Sequence, residues 1–467
     1  MREVDVAIVG AGVAGCCVAR ECARFALKVA VFEAGLDVAD GATRANSGIV
    51  HAGYDPKPGT RKARFNVEGA KLYPQWASEL GFPYINNGSM VLAFTEEELE
   101  AIRGLRERGE HNGVEGLRVI DARELRELEP NVSPEALGAL LVPTGAICDP
   151  YQVAFRAAEN AARNGVEFNF SSKVVGIEPA QAPTADSAQA VAAGSARSAA
   201  VEPARGAGYI LHIEGAQGDV AEAVHARVVV NAAGVHAGAA RVFNNPPSWR
   251  IQPHGYRYGR PVRAHDVPGP HESGQGRACL AYGARQHARW SECRSPRRQR
   301  CHGNYRRGLG RNHVRREKDV PSAQHASPHY HVHRRARHGR YGRFRNRRSV
   351  ERPGLLRLTS APAVAVDMAA CIAEKLNAAE NHQFNPVLSL PALFKNMNEE
   401  ERRAAISANP DAGHMLCRCN EVTEADVASA LHTKLPVLCL DALKWRTGAT
   451  MGRCHGGFCT PELAKVV

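Results

Sequence analysis

Val4-Asp5-Val6-Ala7-Ile8-Val9-Gly10-Ala11-Gly12-Val13-Ala14-Gly15, at the start of this 467-residue chain, is the stretch that decides the fold. Its apolar half has the length of a strand, its glycines predict a tight turn, and Cys16 to Ala26 then predicts a helix. A second apolar strand, Lys28 to Phe32, ends at Glu33, about 20 residues past the glycines. Strand, turn, helix, strand and terminal acid together form the fingerprint of a dinucleotide-binding unit. The sequence therefore predicts an α/β, Rossmann-like fold, and a glycine turn without a ligand is the alternative.

The residues of this fingerprint have separate roles. Gly10, Gly12 and Gly15 permit the turn and let a pyrophosphate approach the free N–H groups of the helix N-terminus. The Glu33 carboxylate can accept hydrogen bonds from ribose hydroxyls. These features serve FAD and NAD alike, and two further stretches favour FAD. One is the strand Ala226 to Val230 with its small-residue turn, and the other is the polar loop from Thr43 to Gly53.

These stretches resemble the D-amino-acid-oxidase-type FAD oxidoreductases, and within them the glycerol-3-phosphate dehydrogenase and L-2-hydroxyglutarate oxidase group. Members of that group carry an Arg/Asn/Ser/Gly loop followed by His-Ala-Gly, as residues 44–53 do here. The likeness covers residues 1–253 and 358–467. It implies bound FAD and transfer of a hydride from a hydroxyl-bearing carbon of a small anionic substrate to flavin N5.

The resemblance also implies a set of site residues. His51 is expected beside the flavin as general base or substrate ligand, because imidazole titrates near working pH. A structural histidine that holds the loop through a backbone hydrogen bond is the alternative. The expected cofactor contacts are Arg44, Asn46, Ser47, Gly48, Ala233, Gly234 and Thr359.

The C-terminal cysteines form a CxC…CxxxxC pattern, with Cys417 and Cys419 in one pair and Cys454 and Cys459 in the other. Two close pairs of thiolates suit an iron–sulfur cluster or Zn, and free thiols are a further alternative. The pattern resembles the BFD-like [2Fe-2S] domain that ends anaerobic glycerol-3-phosphate dehydrogenase catalytic subunits. Between the pairs, Thr423 with Asp426 predicts a capped helix, and Lys444 and Arg446 are cations that could offset the charge of a cluster.

Residues 254–357 differ from the rest of the chain. They hold 26 of the 60 Lys+Arg residues but only 6 of the 48 Asp+Glu residues, so the overall charge of +12 is local in origin. Codons read one nucleotide later permit β-rich sequence in two places, VLVSPTVHGN from Arg277 to His287 and ITTFTGVRATGDTGDFVIG from His329 to Arg348. We interpret the segment as an out-of-frame translation. The alternative is a basic arm that binds nucleic acid or an acidic surface.

The predicted organisation is a FAD-binding domain with an interleaved α+β substrate domain over 1–253. The basic segment over 254–357, the end of the FAD domain over 358–395 and a small helical BFD-like domain over 400–467 follow. Within the first region we expect a strand over 88–94, a helix from Glu96, a β-like stretch over 166–177, a flexible loop over 179–207 and a strand from Tyr209 to Glu214. No apolar run reaches membrane-spanning length and no secretory signal is evident, so we expect a cytoplasmic protein, at most peripheral to a membrane. The expected reaction is oxidation of sn-glycerol 3-phosphate, with electrons passing through FAD and the cluster to a partner subunit or quinone. L-2-hydroxyglutarate dehydrogenase and a non-catalytic nucleic-acid-binding protein are the alternatives.

Overall fold

A computed structural model of the chain describes residues 1–180, 208–214, 220–237, 249–252, 351–353 and 358–465. The loop predicted over 179–207 therefore lies almost entirely outside the described residues, as does nearly all of the basic segment. The helices are α1 (Val13–Cys22), α2 (Arg61–Leu80), α3 (Glu96–His111), α4 (Ala122–Leu128), α5 (Pro150–Arg163), α6 (Ala361–Leu376), α7 (Glu399–Ala408), α8 (Glu424–Leu431), α9 (Leu440–Thr447) and α10 (Thr460–Leu463). The strands are β1 (Arg2–Val9), β2 (Val29–Phe32), β3 (Ile49–Val50), β4 (Tyr84–Ile85), β5 (Ser89–Ala93), β6 (Arg118–Asp121), β7 (Gly138–Val142), β8 (Ala146–Cys148), β9 (Glu167–Asn169), β10 (Lys173–Pro179), β11 (Tyr209–Glu214), β12 (Val220–Asn231), β13 (Trp249–Gln252), β14 (Glu351–Pro353), β15 (Met415–Cys417) and β16 (Val422–Thr423).

The main sheet has the order β10-β11-β12-β1-β2-β9, with β13 and β14 joined beyond β12. β1 pairs in parallel with both β2 and β12, so that Val9 stands beside Phe32 on one side and Asn231 on the other. The carboxyl ends of these strands therefore share one edge of the sheet, where open α/β folds bind their ligands. The predicted Rossmann-like core is confirmed.

Helix α1 is buried along its whole length and packs against α5 and α6 on the main sheet. It ends at Cys22, not at Ala26 as the sequence pattern predicts. The backbone after it bonds to the segment behind α6, since Ala26 N donates to Ala379 O over 2.8 Å and Asn381 N donates to Arg24 O over 2.7 Å. A tertiary contact thus replaces the last helical turn.

A second layer follows β3. Strands β5, β7 and β6 form an antiparallel sheet that packs against α3 and α4, and β3, β8 and β4 form a small sheet beside it. The strand predicted near residues 88–94 and the helix predicted from Glu96 are confirmed as β5 and α3. The β-like stretch 166–177 is divided into β9 and β10, because Ser171 takes a positive φ of 50° between them.

The C-terminal segment consists of α7 to α10 and the hairpin of β15 and β16. Helix α8 begins with the predicted capping box, in which Thr423 accepts from the Asp426 N–H and Asp426 accepts from the Thr423 N–H. Among the described helices, none is long and apolar enough to cross a bilayer.

Candidate functional site

The glycine turn after β1 has no room for side chains. Gly10 has φ +100°, and a Cβ on it would lie 2.7 Å from the carbonyl oxygen of Ala232. A Cβ on Gly15 would lie 1.9 Å from the carbonyl oxygen of Gly10, well inside van der Waals contact. The turn therefore brings backbone from β1, α1 and the end of β12 together, as a nucleotide cradle requires.

Helix α1 points its N-terminus at this cradle. Its N-cap residue, Gly12, offers no side-chain cap, and the Val13 N–H donates to the Thr43 hydroxyl over 3.0 Å. Such a helix start favours an anion, because free N–H groups and the helix dipole point towards it. An uncapped helix start beside a glycine turn suits a pyrophosphate, so the residues present fit FAD.

Glu33 lies beside the turn, as predicted. One carboxylate oxygen accepts from the Ala11 N–H over 2.7 Å and the other from the Gly35 N–H over 2.8 Å. Its charge thus stabilises the cradle, and each oxygen keeps a further lone pair for a hydroxyl. Ala233 and Gly234 follow β12 at the same edge, where the Ala233 N–H donates to the Asn231 side chain over 3.2 Å.

The loop 43–48 is organised mainly by its own contacts. The Asn46 side chain donates to Thr43 O and accepts from the Gly48 N–H. Gly48 has φ +70°, and a Cβ there would lie 2.3 Å from Cys148 O. The backbone of the loop therefore packs directly against β8. Arg44 pairs with Asp40 and faces the ring of Trp445 at 5.9 Å, and Ser47 is exposed. Gly48 is thus the loop residue whose conformation the surrounding backbone restricts most.

His51 lies in a narrow cleft with Tyr54, Lys62 and Asn66. Its backbone N–H donates to the hydroxyl of Thr359 over 2.8 Å. Thr359 is fully buried, so its hydroxyl holds the His-Ala-Gly loop against the start of α6. The cleft encloses about 10 Å³, the volume that one water needs. Imidazole and ammonium groups in one cleft suit a substrate with a hydroxyl and an anionic group.

The predicted cysteines line one cavity of about 250 Å³, together with Arg418 and Phe458. This volume is far above the roughly 10–15 Å³ that one water needs. The pKa of the Cys454 thiol is lowered by a hydrogen bond with Cys419 and by the N–H groups of Phe458 and Gly456. Burial raises the pKa of Cys459, which also lies against Cys417. A soft cation or a cluster would suit this set of sulfurs.

Sequence reasoning missed the buried network that joins the cysteine segment to the nucleotide-binding part. Arg446 donates to Asp37 over 2.9 Å and to Leu435 O over 2.8 Å, and the Tyr151 hydroxyl donates to Asp37 over 2.7 Å. Arg446 therefore has a different role from the cluster-neutralising one expected of it. The available signal was the position of Asp37, four residues beyond Glu33 in a loop that faces the nucleotide edge.

Comparisons with known proteins agree with this geometry. The family model described as FAD dependent oxidoreductase matches residues 5–270. The chain is 30% identical to a glycerol 3-phosphate dehydrogenase of Caloramator mitchellensis, over 99% of this chain and 93% of that protein. A mitochondrial L-2-hydroxyglutarate dehydrogenase of Nematostella vectensis is 34% identical over 35% of this chain and 36% of its own length. The solved structure of the dithionite-reduced L-α-glycerophosphate oxidase of Mycoplasma pneumoniae with FAD bound is 28% identical, with a TM-score of 0.43 over 51% of this chain and 56% of that one.

The chain therefore belongs to the family of FAD dependent oxidoreductases, which confirms the resemblance drawn from its motifs. Within that family, the similarity over nearly the full length of both chains makes it an FAD-dependent oxidoreductase of the glycerol-3-phosphate dehydrogenase type.

Proposed function

We propose that this chain oxidises sn-glycerol 3-phosphate to dihydroxyacetone phosphate. The observation that carries the proposal is the placement of His51 and Lys62 in one cleft, beside the loop that Gly48 and Thr359 fix. The similarity to a glycerol 3-phosphate dehydrogenase over nearly the whole chain supports the same substrate.

The roles of the residues follow from their chemistry. The imidazole of His51 takes the proton of the substrate hydroxyl, since histidine is the side chain that most often acts as a general base. The Lys62 ammonium attracts the phosphate, and the Asn66 amide is a further polar group in the same cleft. The α1 N-terminus and Glu33 hold the pyrophosphate and ribose of FAD. FAD, when bound, supplies the hydride acceptor.

We further propose that the cysteine cavity binds a [2Fe-2S] cluster and passes electrons to a partner subunit or to quinone. Cys417, Cys419, Cys454 and Cys459 would be the ligands. The support is the convergence of both cysteine pairs on one cavity and the backbone N–H groups directed at Cys454. Thiolate ligands and N–H donors to sulfur are features of iron–sulfur sites, although Zn has the same preference for four thiolates.

The experiment that tests the substrate is dye reduction by the purified, FAD-loaded protein under anaerobic conditions. Reduction that depends on sn-glycerol 3-phosphate, and bleaching of the flavin absorbance by the same compound, are the expected results. L-2-hydroxyglutarate is the comparison substrate, because a relative of that activity matches part of the chain. Reduction by L-2-hydroxyglutarate alone would replace the proposed function with that second candidate.

Iron and acid-labile sulfide analysis of the same sample tests the cluster.

A further inference from the structure

A lysine from outside the cysteine motif bonds to the helix end that precedes the turn beside the cysteines. Lys395 lies in the short 3-10 helix Phe394–Asn396, before α7. Its Nζ donates to Thr447 O over 2.8 Å, at the end of α9. Gly448 leaves the space for it, because a Cβ there would lie 2.6 Å from Nζ. The ammonium thus satisfies a terminal carbonyl of α9, where the helix dipole favours a cation.

The turn that begins at this point packs against the cysteines, since Ala449 lies in one buried cluster with Cys417 and Cys459. Gly448 and Thr450 both have positive φ, at 85° and 65°. The Asn420 side chain donates to Gly448 O over 2.6 Å, and the Thr450 N–H donates to the sulfur of Cys459. Positive φ at the non-glycine Thr450 is a strained conformation that neighbouring contacts must maintain. The bond from Lys395 is one of these contacts.

The charge of Lys395 also acts on the cavity. The residue is half-buried, and burial lowers its pKa, while the nearby Asp426, Cys417 and Asp149 act in the opposite direction. The cations expected from the sequence have other partners. Arg446 binds Asp37 over 2.9 Å, and Lys444 lies 3.8 Å from Asp441. Lys395 is therefore a cation close enough to Cys417 for their charges to interact.

We propose that Lys395 is a positioning residue of the cysteine site, which anchors the turn carrying the Thr450 N–H and places a positive charge behind Cys417. This inference rests on the proposed [2Fe-2S] cluster. A cation at this place stabilises the reduced, more negative state of a cluster relative to the oxidised state, and so raises its reduction potential.

The test is an anaerobic redox titration of the full chain, with the cluster signal followed by electron paramagnetic resonance. Lys395→Met removes both the charge and the hydrogen bond, and Lys395→Gln removes the charge while keeping a donor. Lys444→Met removes a cation from the neighbouring helix as a matched control. Flavin content and circular dichroism report the fold of each variant, so that Lys395→Gln remains informative if Lys395→Met does not fold.

We expect both Lys395 variants to shift the midpoint potential of the cluster to the negative side. A shift of about 59 mV corresponds to a tenfold change in the ratio of oxidised to reduced cluster at a fixed potential. Lys444→Met should stay at the wild-type value. Equal potentials and equal iron contents in the Lys395 variants and the control would overturn the inference. A wild-type protein that carries flavin but no iron or sulfide would instead overturn the proposed cluster, and the inference with it.

Discussion

At the scale of the residue, the most consequential contact is the buried ion pair between Asp37 and Arg446. Both side chains are almost inaccessible, at 6% and 2% exposure, so water cannot replace either partner. Burial raises the pKa of the Tyr151 hydroxyl, which therefore stays protonated and donates to Asp37. Arg446 also packs over the ring of Phe155 at 4.8 Å. One arginine thus links α9 to the loop beyond Glu33 and to α5.

Replacement of Arg446 by Met should destabilise the protein by about 3–5 kcal/mol, because it leaves the Asp37 charge buried without its partner. Chemical denaturation followed by tryptophan fluorescence measures this loss. Arg123→Met, which removes an exposed arginine paired with Glu127, should cost at most about 1 kcal/mol. Adding Asp37→Asn to Arg446→Met should recover part of the stability, and a double variant no better than the single one would contradict a specific pair.

His51 carries the second residue-scale prediction. If its imidazole takes the substrate proton, His51→Gln should lower kcat by about 10²–10⁴-fold and leave the flavin content unchanged. The pH profile of kcat should also lose its acidic limb. His111→Gln is the matched control, since that side chain is exposed on α3 and bonds only to Glu107 O in the described contacts. A His51→Gln enzyme with wild-type kcat would leave His51 as a structural residue of the loop.

At the scale of the element, the turn between β1 and α1 depends on backbone contact that a methyl group would prevent. Gly15→Ala should abolish FAD binding, because the new Cβ would be forced to within 1.9 Å of Gly10 O unless α1 moves away. Gly41→Ala is the control, as nothing lies within 4 Å of its Cβ position. The ratio of flavin to protein absorbance after purification measures both variants. A yellow Gly15→Ala protein would mean that the turn has more freedom than its geometry indicates.

Element boundaries show where local pattern is sufficient and where it is not. Local pattern was sufficient for two elements, since both depend on neighbours in sequence. These are the capping box of Thr423 and Asp426 and the strand Tyr209–Glu214. The end of α1 was not, because bonds to Ala379 and Asn381, more than 350 residues away, compete with the helix there. The contacts of Thr359 were not predictable from local pattern either. The motif suggested Thr359 only as a cofactor contact. In the structure its hydroxyl accepts from the His51 N–H and is directed at Ile49 O.

At the scale of the whole molecule, the basic segment 254–357 leads to a prediction about activity. We hypothesise that it is translated out of frame. The chain as written should then bind FAD poorly. The flavin and activity predictions above therefore apply to the chain with the frame restored, which should bind FAD fully and reduce dye with substrate. Resequencing the gene over codons 250–362 comes first, followed by flavin content of both proteins. A yellow, active protein of the written sequence would refute the hypothesis.

The sequence by itself determined the nucleotide-binding core and the family, because a glycine turn between a strand and a helix, with Glu33 at the next strand end, has few structural solutions. It also predicted the four cysteines of the site, but only the folded chain brought Cys454 beside Cys419 and Cys459 beside Cys417. Only the tertiary structure decided the partners of charged groups. Arg446 turns to Asp37, and Lys395 turns to the end of α9, because each charge takes the partner that the packed elements bring within reach. Such long-range pairings leave no local pattern in the chain, and so they could be found only in the folded molecule.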